Sequence, residues 1–126
     1  MSARVLLIED NQQNRYLATF LLERSGFQVT SAADGIRGIE LAVEMMPDII
    51  LLDIQLPGLN GYAVARVLRK NADLNAVPIV AVTSFVLQGD KERALASGCD
   101  EYLEKPIDPV TFVASITSFL RQGGKS

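Results

Sequence analysis

The chain has 126 residues, 48% of them hydrophobic and 21% charged, enough for one compact domain with a buried core and too few for a second. Its net charge is −3 and its twelve Lys and Arg are scattered, which argues against the basic face that direct nucleic-acid binding requires. The sequence contains no histidine, so Ser-His-Asp and Cys-His catalysis and the commonest zinc ligand are excluded, and any chemistry must come from carboxylates, lysine, threonine or a metal.

In chain order, RVLLI (4–8) is an unbroken apolar run predicted as a strand without a wet face. A first helix follows with Leu17 and Leu21 on its buried side, and Gly26 sits where a left-handed cap would end it. FQVTSA (27–32) is the second strand candidate, and Ile39, Ala42, Val43 and Met46 mark the inner face of a second helix. DIILLD (48–53) is a third, fully buried strand, and Pro57, Gly58, Asn60 and Gly61 behind it predict a turn. Val64, Val67 and Leu68 predict a third helix, and PIVAVT (78–83) a fourth strand. The helix over 87–97, LQGDKERALAS, is the least apolar, so it is expected to be loosely held and able to shift, with Gly98 as its cap. EYLE (101–104) is the fifth strand candidate; Asp108-Pro109 then places a capping acceptor ahead of a first-turn proline, opening a helix that buries Phe112, Ile116, Phe119 and Leu120.

The expected domain is therefore single, residues 1–126, with a core over about 4–121 and a frayed tail over 122–126. Cys99 has no internal disulfide partner, and no segment looks like a signal peptide or a membrane span. A cytoplasmic protein with no membrane contact is the expectation.

Strict alternation of strands and helices implies an α/β protein, because each parallel crossover needs a helix to return the chain. The predicted sheet has five parallel strands in the order 2-1-3-4-5, with five helices on its two faces. Functional groups of such sheets gather beyond the carboxyl ends of the strands, at the switch point between strands 1 and 3. There the sequence places Glu9 and Asp10 after strand 1, Asp53 at the end of strand 3, Thr83 and Ser84 at strand 4, and Lys105-Pro106 after strand 5. Three convergent carboxylates repel unless a divalent cation neutralises them, and oxygen ligands suit Mg²⁺ or Mn²⁺. Thr83 and Lys105 would supply donors for an anion with several oxygens, such as a phosphoryl group on Asp53. Each residue also has a plainer explanation. Asp53 or Asp10 could serve as a helix cap, Lys105 could be a solvated lysine, and Thr83 fits a strand by propensity.

On these motifs the chain resembles the receiver domain of two-component response regulators over about residues 4–121. LLIEDN carries the acidic pair, LLDIQLPGLNG matches the phosphoacceptor stretch D-x-x-L-P-x-L-N-G, VAVTS holds the Thr/Ser position and YLEKP the lysine-proline. The resemblance implies the flavodoxin-like receiver fold and a phosphoacceptor role for Asp53, loaded from a phosphohistidine of a histidine kinase or histidine phosphotransfer protein. It implies Mg²⁺ held by Asp10, Asp53 and the backbone carbonyl of Gln55, with Glu9 acting through water. Lys105 would bridge to the phosphoryl oxygens, Thr83 would move toward them, and Tyr102 would swing inward as the switch aromatic. The Lys105-Pro106 bond is expected to be cis. Gln55 and Phe85 occupy positions that tune phosphoryl lifetime; Phe85 cannot orient a hydrolytic water by hydrogen bonding, so slow self-dephosphorylation is expected.

Under this reading the protein is a regulator rather than an enzyme, catalysing only its own phosphorylation and slow dephosphorylation. Its signal would leave through a downstream protein bound to the face of helix 4, strand 5 and helix 5, by a monomer or a phosphorylation-dependent dimer. Met1-Ser2 and the short polar tail favour a stand-alone chain. The alternatives are a receiver-like module that signals mainly by binding, and a receiver cut from a hybrid histidine kinase. A Mg²⁺-dependent phosphatase with an Asp nucleophile wants a second Asp two residues on, where this chain has Gln55. An FMN binder of the same fold needs a phosphate loop after strand 1, which Glu9-Asp10 would repel.

Overall fold

The computed structural model describes residues 3–56, 60–83, 89–105 and 108–123. The elements run β1 (Arg4–Ile8), α1 (Gln12–Arg24), β2 (Gln28–Ala32), α2 (Gly35–Met45), β3 (Ile49–Asp53), α3 (Gly61–Lys70), a 3-10 turn (Ala72–Leu74), β4 (Ile79–Thr83), α4 (Asp90–Ala96), β5 (Glu101–Glu104) and α5 (Pro109–Gly123). All strands pair in parallel in the order β2-β1-β3-β4-β5, as the alternation of elements predicts.

Strand periodicity divides the core in two. Leu6, Ile8, Ile50, Leu52 and Ala81 face α2, α3 and α4, where Ala42, Val64, Leu68 and Ala94 meet them. Val5, Leu7, Ile49, Leu51, Val80 and Val82 face α1 and α5, represented by Ala18, Leu22, Phe112 and Ile116. Alternate residues of β1 and β3 thus serve opposite faces, and both faces are dry, which is why these strands show no polar alternation.

The helices differ from the sequence reading in which residues they bury. Ala42, Val64 and Leu68 are buried as expected, but Leu17, Val43, Met46 and Val67 are exposed, while Ala18, Gly38 and Ala65 lie against the sheet. Small residues take the inner face because they let a helix approach the strands closely: a Cβ on Gly38 would lie 2.5 Å from Ile8 Cδ1. The displaced large residues leave an apolar stripe on α1, where the Tyr16 and Phe20 rings stack with centroids 6.5 Å apart. In α5, Phe112 and Ile116 are buried as expected, and Phe119 and Leu120 are partly so. The helix continues to Gly123, slightly beyond the expected core.

Caps fix where the helices begin. Asn11, Asp34, Asn60 and Asp108 each accept a backbone N–H of the first turn of α1, α2, α3 and α5, at 2.8–3.0 Å. Helix α4 starts instead at Gly89 (φ 90°), with no side-chain cap. At the other end, Ser97 Oγ accepts from Arg66 at 3.2 Å, Gly98 O accepts from Arg69 Nε at 2.7 Å, and the Arg93 guanidinium lies 4.4 Å from the centre of the Tyr62 ring. Arginines therefore tie the C-terminal end of α4 to α3.

Gly61 sets the distance between α3 and the end of β3. Its N–H donates to Ile54 O at 3.0 Å, and an added Cβ would stand 2.5 Å from Ile54 Cα and 2.7 Å from Asp53 O. Backbone atoms cannot yield as a side-chain tip can. Gly61→Ala is expected to destabilise the protein by about 2–3 kcal/mol through overpacking, measured as a lower denaturation midpoint with unchanged slope.

Candidate functional site

The carboxyl ends of β1, β3, β4 and β5 converge. Ile8 pairs with Leu52 in the β1–β3 ladder, so the following residues, Glu9 and Asp53, emerge side by side. Thr83 ends β4, and its carbonyl accepts the Lys105 N–H at 2.8 Å, carrying the β4–β5 pairing one step past β5. Glu9, Asp53 and Thr83 are buried, whereas Asp10 is exposed at the rim. Carboxylate oxygens of Glu9, Asp10 and Asp53 lie within 4.8 Å of one another, so this group could hold a metal ion.

Neither capping explanation survives. Asn11, not Asp10, caps α1, accepting Asn14 N–H at 2.9 Å. Asn60 caps α3, while Asp53 Oδ1 accepts the N–H of Gln55 at 3.0 Å within the loop. Lys105 is not a solvated lysine either: its side chain is only 10% exposed, with Nζ 2.5 Å from Glu9 Oε1 and 3.4 Å from Asp53 Oδ2. It therefore lies against two buried carboxylates. The Glu9–Lys105 contact, between residues 96 apart in sequence, carries no local signal in the sequence.

Burial is the main reason the Asp53 carboxyl is raised from 3.8 to about 7; the Gln55 N–H lowers it, Glu9 raises it by hydrogen bonding and charge, and Lys105 lowers it. Asp53 thus holds its proton up to near neutral pH. Among the described residues, two buried carboxylates and one exposed one face one close ammonium, which leaves negative charge uncompensated, and all three carboxylates offer hard oxygens. That donor set fits Mg²⁺ or Mn²⁺.

Tyr102 packs partly buried against the α2–α4 side of the core, with its hydroxyl buried. The inward swing expected of it would start from a ring already turned toward that core. Gln55 is exposed beside Asp53. Ser84, Phe85 and Pro106 lie outside the described residues, as do Pro57 and Gly58 of the expected turn. Cys99 is buried, which pushes its thiol up to about 12 and leaves it inert. No helix among the described residues is long and apolar enough to cross a membrane.

Residues 5–117 match the family model of the response regulator receiver domain. The polar-differentiation response regulator DivK of Brucella ovis is 39% identical over 120 residues, covering 95% of this chain and 98% of its own. The receiver domain of a sensor histidine kinase from Pseudomonas aeruginosa, solved with a magnesium ion coordinated in its active-site cleft, aligns with a TM-score of 0.85 at 36% identity over 100% of both chains. The chemotaxis protein CheY4 of Vibrio cholerae aligns with a TM-score of 0.90 at 25% identity, covering 94% of this chain and 99% of that one.

Proposed function

This chain belongs to the response regulator receiver domain family, and on that premise we propose that Asp53 accepts a phosphoryl group from a partner's phosphohistidine. The partner would be a histidine kinase or a histidine phosphotransfer protein, and the reaction would depend on Mg²⁺. The observation that carries this reading is the setting of Asp53: buried, anchored at Oδ1 by the Gln55 N–H, 3.4 Å from Lys105 at Oδ2, and close to two further carboxylates.

In the transfer, a carboxylate oxygen of Asp53 attacks phosphorus. A P–O bond forms as the P–N bond to the imidazole breaks, and the bonding electron pair leaves with the imidazole. Such a displacement needs positioning and charge neutralisation more than covalent machinery, so a site without histidine suffices. Asp10, Asp53 and the Gln55 carbonyl would hold Mg²⁺, with Glu9 acting through water. When bound, the ion neutralises the carboxylates and the phosphoryl oxygens. The Gln55 N–H keeps the Asp53 carboxylate oriented, and Lys105 is near enough to exchange Glu9 for a phosphoryl oxygen. Thr83 would approach the same group. Gln55 and Phe85 would set how long it lasts.

Output would follow from a two-state bias. Tyr102, three residues before Lys105, packs on the α2–α4 side of the core and would couple the site to α4, whose start carries no side-chain cap while its other end is tied to α3. A downstream protein would then read the face of α4, edge strand β5 and α5.

Incubation with a small acyl-phosphate donor and Mg²⁺, followed by intact-mass measurement, tests the reading. The wild type should gain one phosphoryl group, and Asp53→Asn or metal-free wild type none. No gain by the wild type, with a donor shown active on another receiver, would leave a module that signals by binding alone.

A further inference from the structure

Arg15 sits in the first turns of α1, where the positive end of the helix dipole disfavours a cation. Its surroundings supply the reason. One guanidinium nitrogen, Nη1, donates to Glu9 O at 2.9 Å and to Asp10 O at 3.0 Å. These carbonyls belong to the two residues whose carboxylates join Asp53 in the acidic group. The remaining bonds of the loop act in the same sense: Glu9 N–H donates to Ala32 O at 3.0 Å, Asn11 N–H donates to Glu9 Oε2 at 3.0 Å, and the Asn11 carbonyl accepts the Arg15 N–H at 3.0 Å. Arg15 thus grips the loop from the helix side by both its backbone and its side chain.

We propose that Arg15 is a positioning residue for the metal site, holding the Glu9–Asp10 backbone so that both carboxylates stay in ligand range of Asp53. Without it, the peptide units of Glu9 and Asp10 can rotate, and Asp10, the exposed member, has least else to hold it. A partner that orients a ligand typically governs metal affinity by about 10-fold or more. This inference rests on the proposed metal-dependent phosphoryl transfer.

Titration calorimetry with Mg²⁺ on the full chain tests it, comparing wild type with Arg15→Met, Arg15→Lys and Asp10→Asn, beside metal-free thermal melts and phosphoryl labelling over a range of Mg²⁺. Arg15→Met should weaken Mg²⁺ binding about 10-fold and raise the half-saturating Mg²⁺ for labelling to match, with a smaller drop in labelling at saturating metal. Arg15→Lys, which keeps the charge on a single ammonium, should fall between Met and wild type. If Arg15→Met lowers the melting temperature but leaves Mg²⁺ affinity unchanged, the residue is merely structural and the proposal is overturned. Tighter Mg²⁺ binding by Arg15→Met overturns it too, since repulsion between cations would then dominate. A wild type that binds no Mg²⁺, or an Asp10→Asn that binds it unchanged, instead removes the metal site on which the proposal stands.

Discussion

Replacing Lys105 with methionine is expected to destabilise the metal-free protein by about 3–5 kcal/mol at pH 8, the range found when one partner of a buried ion pair is removed. The side chain is 10% exposed and faces Glu9 and Asp53, which are 5% and 4% exposed. Methionine would retain much of the packing but leave two buried carboxylates with no nearby ammonium. The loss should shrink as pH falls. Without Lys105, which lowers it, the raised pKa of Asp53 rises further, and a raised folded pKa favours the native state as protons are added. Millimolar Mg²⁺ should restore part of the stability by the same neutralisation. Denaturant titrations at pH 8 and pH 5.5 measure this; an equal loss at both would mean that Lys105 contributes packing alone. The rate of phosphoryl uptake should fall about 100-fold or more, as when a preorganised donor is removed from a transition state.

The second large effect has the opposite sign. Asp53→Asn should stabilise the metal-free protein at pH 8, by up to about 4 kcal/mol if the whole shift from 3.8 to about 7 counts at 1.36 kcal/mol per unit. Between those two values the folded wild type holds a proton that the unfolded chain has lost, so its stability declines as pH rises through this window. An amide carries no such charge. The two stability curves should therefore converge toward pH 4 and separate above neutrality, with Mg²⁺ narrowing the gap because it favours ionised Asp53. Mg²⁺ binding by the wild type should likewise weaken below about pH 7, where proton and metal compete for the Asp53 carboxylate. Curves that run parallel would place the proton elsewhere. A site destabilised by its own working groups accords with the usual trade between stability and function.

The sheet was legible because a strand buried on both faces has only one sequence form. β1, β3 and β4 read as apolar runs, and their ends located Asp53, Thr83 and the acidic pair. Helix faces were less legible. Spacing of i, i+3, i+4 marks a stripe without saying which of two adjoining stripes faces inward, and hydrophobicity chose Leu17, Val43 and Val67. Closeness to the sheet chose Ala18, Gly38 and Ala65 instead, a decision about volume that single-residue hydrophobicity does not contain. In the site, each acidic residue could be placed at its strand end, but not the partner of each. The cap of α1 went to Asn11 rather than Asp10, and Lys105 met Glu9 across nearly the whole chain. Arg15 did leave a trace, as a cation at the wrong end of a helix dipole.

The phosphoryl group is proposed to go to Asp53. Borohydride reduces an acyl phosphate on aspartate to homoserine, and fragmentation of the labelled chain by mass spectrometry then locates the modified residue. After loading with an acyl-phosphate donor and Mg²⁺, homoserine is expected at position 53 and at no other carboxylate. Modification at Glu9 or Asp10 instead, or none in a chain that has gained the phosphoryl mass, would contradict it.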